Sequence, residues 1–374
     1  MIGIVGIGAA GGNIADLAFE NGINAVALNF SERDLESLDF VEERLTLIGS
    51  EGVGKNRDEA INLMVDKNWE MALKFVKENF STPSTEIIMV CFSAGGGSGG
   101  GIGPMLADLL AQEMEDKTIV AVPILPDTTE ALVHQVNALY VTEELSRQDL
   151  CVLPIDNEQV KKKYPNAGKA RIFKETNETF VNLITTLPEF TDKHSKHGVL
   201  DKKDLRTIFS TVGIASISST RITKLDEGQA DISNEGITEA IKKSWDNTIF
   251  APLEMQTVPK AGIIYEGPLD LFTIDSAQVF STFRGGEPTH LFEGTYEGDH
   301  AKVITILSGM PYYSTRLKVI EEKIEAQQKI KEELATLETG YESKLKLPKA
   351  SPKKPLPRNK KKAINSILDK YQNR

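Results

Sequence analysis

The sequence predicts an α/β protein: a parallel sheet covered by helices, a long central helix, a smaller α+β part with a mixed sheet, a long C-terminal helix and a disordered basic tail. Three observations predict it. Short Ile/Val-rich runs alternate with stretches of helical spacing through the first 155 residues. Between 211 and 310 the apolar runs continue without a helix after each one. Glycine-rich loops stand where strands of the first kind end.

Residues 2–7 and 23–29 flank a segment in which Ile14, Leu17 and Ala18 recur at helical spacing, a β-α-β pattern. It repeats as a strand at 86–92, a helix at 105–114, a strand at 119–125, a helix at 131–145 and a strand at 150–155. Ile172, Phe173, Phe180, Val181, Ile184 and Leu187 mark a longer helix, with Pro188 as its expected stop. TVGIASISS, AGIIYEGP and AKVITILSG read as strands of the mixed sheet. Leu317, Ile320, Ile324, Ile330, Leu334 and Leu337 define a charged amphipathic helix, and LPKASPKKPLPRNKKK a disordered linker without an acid. The expected divisions are 1–168, 169–188, 189–311, 312–347 and 348–374.

The chain has 374 residues, 40% hydrophobic and 26% charged, enough for two ordinary cores. A net charge of -11 gives the body no general attraction to nucleic acid or anionic lipid. Cys91 and Cys151 lie in apolar runs and read as buried, reduced thiols. The apolar start lacks a basic region and is broken by Asn13 and Asp16, and no stretch approaches the ~18 uncharged residues of a membrane span. A cytoplasmic protein without membrane insertion is expected.

The strongest local signal is SAGGGSGGGIGP at 93–104, between a strand and a helix expected to open at Pro104. Glycines let the backbone curl so that several N–H groups converge on one anion, and a helix N-terminus adds its partial positive charge. The Ser98 hydroxyl can donate to a phosphate oxygen. Earlier, Gly6, Gly8 and Gly11 have the GxGxxG spacing of a dinucleotide fold. A NAD(P)-dependent oxidoreductase would want an acid where the second strand ends in Asn29, and would leave the richer loop without a role. Two glycine loops on one sheet suit a nucleotide with a long phosphate tail.

In these loops, in this order, the chain resembles the tubulin/FtsZ superfamily, and the resemblance runs through most of residues 1–310. GIGAAGGN is similar to the first nucleotide loop, implying contacts from Gly8, Ala9, Ala10, Gly11, Gly12 and Asn13. NFSERDL resembles the second, through Asn29, and GVGKNRDE the third, through Gly54, Lys55 and Asn56. GGGSGGG resembles the tubulin signature, implying a cradle of Ala94, Gly95, Gly96, Gly97, Ser98 and Gly99, with serine for the usual threonine and Gly100 for the second one. LPDTTEA is similar to the sugar loop, with Pro126 and Glu130, and IDNE to the loop whose asparagine, here Asn157, contacts guanine. Phe173 matches the ring covering the base, and Asn177 and Glu178 the pair that reads it. Glu178 is one methylene longer than the usual aspartate, which leaves open which of the two reads guanine.

GVLDKKDLRTIF at 198–209 is similar to the segment the family inserts into the next subunit's pocket, implying catalysis by Asp201 and Asp204. From local pattern alone the two equally read as a helix cap and first-turn charge. Val199 stands where FtsZ has asparagine. The resemblance implies GTP/GDP with Mg²⁺, whose ligands it leaves unassigned, and a GTPase assembling head to tail into filaments. LPDTTEA, the IDN loop and the charged C-terminal helix favour the TubZ-type plasmid or phage branch, hence DNA segregation or positioning. A cell-division ring protein and a non-polymerising GTP-binding partner are the alternatives. Ile364, Ile367, Leu368 and Tyr371, at helical spacing after the basic linker, predict capture of an adaptor or a DNA-bound partition protein.

Overall fold

Runs such as IGIVGI and IIMVCF have no polar face, so they are stable as strands only where helices cover both sides of a sheet. The computed structural model describes residues 1–222, 234–269 and 273–335, and in it every residue of Ile2–Ile7 (β1) is buried. Helix α1 (Gly8–Glu20) leads to β2 (Asn24–Asn29), α2 (Glu32–Glu36) and β3 (Arg44–Thr46). Then come α3 (Arg57–Leu63), a π-helical turn (Met64–Asn68) and α4 (Trp69–Asn79). The alternation continues through β4 (Ile87–Ser93), α5 (Ser98–Glu113), β5 (Thr118–Leu125) and α6 (Leu132–Leu145). β6 (Cys151–Val152), β7 (Ile155–Asp156), α7 (Asn157–Lys163) and the 23-residue α8 (Lys169–Thr191) follow. The remainder is α9 (Lys202–Phe209), β8 (Gly213–Arg221), α10 (Asn234–Asp246), β9 (Lys260–Gly267), α11 (Ser276–Phe280), β10 (His290–Glu297), β11 (Lys302–Met310) and α12 (Ser314–Ala335).

The strands lie in one sheet in the order β10-β9-β11-β8-β6-β5-β4-β1-β2-β3, with β7 beside β5. From β3 to β8 all neighbours are parallel, while β11 is antiparallel to both β8 and β9. The expected parallel and mixed parts are therefore both present. Alternate residues of a strand serve opposite cores: Val5 and Val90 join one cluster, Ile4 and Met89 the other. The second cluster also takes Phe180, Ile184 and Leu187 of α8 with Ile217 of β8 and Ile304 of β11, so the long helix packs on both parts of the sheet. Contacts group Met1–Gln328 into one compact unit and Lys329–Arg374 into another; the sheet and both cores lie in the first.

Local differences from expectation have identifiable causes. The single strand expected at 150–155 is two short ones, broken at Leu153 and Pro154. Helix α8 carries Pro188 within it and continues to Thr191, because a proline in the last turn forfeits one hydrogen bond while Leu187 and Phe190 remain buried. Helix α5 opens at Ser98, six residues before Pro104. The carbonyl that Pro104 leaves without a helical partner, Gly100 O, accepts from Arg57 Nε at 3.0 Å. Both cysteines are buried and unpaired, and burial pushes both thiols up from their ordinary range. Among the described residues no helix is long and apolar enough to cross a membrane. Leu337, the basic linker and the terminal segment lie outside the described residues.

Candidate functional site

Beyond the carboxyl ends of β1, β2, β4 and β5 the loops enclose a cavity of about 650 Å³. Its lining combines glycine loops with side chains such as Asn13, Asn29, Asp34, Lys55 and Phe173. Gly8 opens α1 at φ +70°, and a Cβ there would lie 3.2 Å from Gly99 N, so the first and fourth loops meet without room for a side chain. At Gly97 a Cβ would lie 2.7 Å from Gly54 O and 3.0 Å from Val53, so the third loop rests directly on the fourth. Asn137 of α6, buried, ties these two loops by donating from Nδ2 to Lys55 O and Gly95 O, both at 3.2 Å. Gly8, Ala9, Ala10, Asn13 and Asn29 line this cavity. So do Gly54, Lys55 and the run Gly96, Gly97, Ser98 and Gly99.

A smaller cavity of about 80 Å³ continues from it, the two sharing Ala10, Asn13, Ser93, Glu130 and Phe173. Ile124, Pro126, Asn157, Thr176 and Asn177 complete its lining. Asn157 is buried as the first residue of α7, whose N-cap is Asp156, and its Oδ1 lies 3.4 Å from Thr176 Oγ1. Phe173 is 42% exposed beside the buried Ile172, and it lines both cavities. Asn177 and Glu178 separate here. Asn177 lines the cavity, while Glu178 lies on α8 beside Lys174, 3.6 Å away, and is not among the lining residues.

Between the cavities lies the loop 126–131. Glu130 uses both carboxylate oxygens: Oε1 accepts from Asp127 N at 3.1 Å, and Oε2 lies 2.6 Å from His134 Nδ1. His134 in turn lines the larger cavity, as does Lys169 at the start of α8. Burial alone would raise the Asp127 carboxyl, but hydrogen bonds from Thr129 and Lys161 hold it below the usual carboxylate range. His134, Asn137, Lys169 and Thr176 are single polar residues without a local motif, and sequence reasoning misses them, while Ser93 opens the glycine motif, which does not itself mark it as a contact. The Glu130/His134 i, i+4 spacing is the one signal that could have drawn attention.

Several candidates line neither cavity. A Cβ on Gly11 would meet Cys91 O at 2.1 Å, so this glycine lets α1 pack closely on β4, while Gly12 is buried with room for a Cβ against Leu38. Asn56 caps α3, accepting from Glu59 N at 3.2 Å. Ala94 is buried, its N–H donating to Ile124 O, and Gly95 lies under His134. Asp201 and Asp204 form a reciprocal capping box on α9: Asp201 Oδ1 accepts from Asp204 N at 2.8 Å and Asp204 Oδ2 from Asp201 N at 3.1 Å. Asp201 is exposed and Asp204 half-buried.

Residues 1–165 match the Tubulin/FtsZ family, GTPase domain. Over 341 residues the chain is 28% identical to tubulin-like protein CetZ of Pyrococcus abyssi, covering 85% of this chain and 92% of that one. Over 337 residues it is 25% identical to tubulin-like protein TubZ of Clostridium botulinum C phage, covering 88% and 84%. The crystal structure of a GTPγS-form protofilament of Bacillus thuringiensis serovar israelensis TubZ shares the fold, with a TM-score of 0.74 at 19% identity over 89% of this chain and 93% of that one. The first 165 residues are a Tubulin/FtsZ family GTPase domain.

Proposed function

We infer that this protein binds GTP across the two cavities, assembles head to tail, and hydrolyses the nucleotide at the junction between copies. The observation that carries the reading is a separation. Converging main chain and amide side chains line the cavities, while the carboxylate pair Asp201 and Asp204 stands outside them on the same chain. Phosphates would take the larger cavity, where Gly96, Gly97, Ser98 and Gly99 and the N-terminus of α5 offer N–H donors and a hydroxyl. The base would take the smaller one, under Phe173, with Asn157 and Asn177 offering the donor and acceptor that guanine's edge requires.

Hydrolysis needs a positioned water and charge neutralisation around the γ-phosphate, with little covalent work by the protein. In a polymer the next copy brings Asp201 and Asp204 to the open end of the cavity, where a carboxylate orients the water and accepts its proton as the water oxygen bonds to the γ-phosphorus and the bond from that phosphorus to the β-phosphate oxygen breaks, GDP leaving. The capping box uses one oxygen of each aspartate and leaves the other for this task. Mg²⁺ supplies charge neutralisation when bound, keeping several waters and binding chiefly through phosphates. Of the acids lining the larger cavity, Glu130 has both oxygens engaged by Asp127 N and His134, whereas Asp34 has one oxygen engaged by Asn29 Nδ2 at 3.0 Å, so Asp34 would fit a metal-side role better.

In this assignment residues 1–168 carry the phosphate loops and Asn157, 169–188 add Phe173 and Asn177 to the base cavity while linking the two parts, and 189–311 carry the catalytic segment. LPDTTEA and the IDN loop favour the TubZ-type branch and hence a DNA-segregation or positioning filament, while both a TubZ and a CetZ are among the relatives. The basic tail is assigned to an adaptor or DNA-bound partner. Pelleting tests the reading: GTP with Mg²⁺ should drive the protein into sedimenting polymer, GDP should not, and ATP should compete poorly for binding. Equal competition by ATP would refute the base assignment. GTP hydrolysis without any sedimentable or scattering species would refute assembly.

A further inference from the structure

Two of the walls around the smaller cavity are held by a single side chain of the C-terminal helix. Arg316, in the first turn of α12, is 3% exposed. Its Nε and Nη2 donate to the two oxygens of Asp156 at 2.8 and 3.2 Å, and Nη2 also donates to Pro126 O at 2.7 Å. Asp156 is wholly buried, and its Oδ1 caps α7 by accepting from Glu158 N at 3.1 Å. Pro126 lines the cavity from one side; the residue after Asp156, Asn157, lines it from the other. One turn or two further along α12, Lys323 Nζ donates to the main-chain oxygens of Thr128 and Glu130, securing the same loop.

This arrangement is a poor device for stability alone. A buried ion pair must overcome the desolvation of both charges, and well-packed apolar residues often serve as well or better. Here Arg316 Nη1 is also buried without an acceptor among the described residues. What the planar fork does supply is a fixed separation between the Pro126 carbonyl and the Asp156 carboxylate. Lysine, a point charge on a flexible stem, cannot impose that geometry.

We propose that Arg316 is a positioning residue for base selection, holding the Pro126 loop and Asn157 at the spacing that admits guanine and disfavours adenine. The assignment rests on the reading of this cavity as the base site. It makes the first turn of α12 part of the nucleotide pocket's frame without touching the nucleotide.

The test uses the full-length chain in three forms: wild type, Arg316→Lys, and the paired Arg316→Met with Asp156→Asn, which removes both buried charges and keeps an acceptor to cap α7. For each, dissociation constants for GTP, ATP and inorganic pyrophosphate are measured beside the thermal unfolding midpoint. The paired variant should unfold near the wild-type temperature, bind pyrophosphate and ATP as before, and bind GTP about tenfold more weakly or worse, as displaced contact groups do. Arg316→Lys should lose part of the same preference. A folded paired variant that retains the wild-type ratio of GTP to ATP affinity overturns the proposal. If neither variant folds, Arg316 serves stability and the positioning role falls. Wild type that does not prefer GTP to ATP overturns the base-site reading itself, a failure visible before any variant is compared.

Discussion

The larger cavity is built around glycine loops, with Gly8 and Gly97 set so closely against neighbouring loops that a Cβ would crowd them, whereas the smaller cavity is lined by residues from α1, β4, β5, the 126–131 loop, α7 and α8. Convergent N–H groups suit a phosphate chain, which every nucleoside triphosphate shares. Placed amides and a ring suit a base, which distinguishes one nucleotide from another. The two ends therefore depend on different things. The first needs the absence of Cβ atoms at a few positions; the second needs Asn157, Phe173 and Asn177 held in register by Thr176, Asp156 and Arg316.

The largest effect expected from this contrast is at Gly97. With a Cβ 2.7 Å from Gly54 O, Gly97→Val must push the third loop away, and nucleotide affinity should fall about a hundredfold or more for GTP and ATP alike. The fold should survive, because the loop that must yield is exposed at Gly52, Gly54, Lys55 and Asn56. Gly11→Ala should do the reverse: its Cβ, 2.1 Å from Cys91 O, forces α1 off β4 and costs roughly 1–3 kcal/mol of stability. Nucleotide titration beside thermal unfolding separates the two. Normal GTP binding by Gly97→Val would show that the interlocked loops are not the phosphate cradle.

A smaller effect sharpens the other end. Asn177→Ala should weaken GTP by about 1–3 kcal/mol without changing pyrophosphate binding, since it removes one hydrogen-bonding group from the base cavity alone. Glu178→Gln, one residue on and beside Lys174, should stay within about 0.5 kcal/mol. Isothermal titration of the two variants decides which member of the pair matters, and the opposite ranking would turn the helix face around.

The same contrast explains what could be read from the chain. Strands β1, β2, β4 and β5 were legible because continuous apolar runs have no other stable home, and the glycine loops because glycine at a strand end has a specific steric meaning. The start of α5 was not, since Gly99, Gly100, Gly101 and Gly103 argue against a helix by propensity. Packing overrides it: a Cβ on Gly103 would strike the Phe92 ring at 2.3 Å, and one on Gly101 the Ala60 methyl at 2.7 Å. Strand β10 escaped notice because as an edge strand with mostly exposed or half-buried residues it lacks an apolar run. Arg316 is 160 residues from Asp156 and 190 from Pro126, so no local pattern announces it. The i, i+3 aspartates left two readings open, and the capping box accounts for their geometry in the single chain.

Catalytic use of that pair is what most needs testing, and mixing two defective proteins does so directly. Gly97→Val lacks a working cradle but keeps Asp201 and Asp204. Asp201→Asn with Asp204→Asn keeps the cavities and, since the amide oxygens still accept, the cap of α9. Each alone should hydrolyse GTP at a small fraction of the wild-type rate. Mixed, they form junctions in which an intact pocket meets intact aspartates, and the rate should rise well above the sum of the separate rates. A mixture that only equals that sum, while both proteins enter the same polymer, would contradict an active site shared between copies.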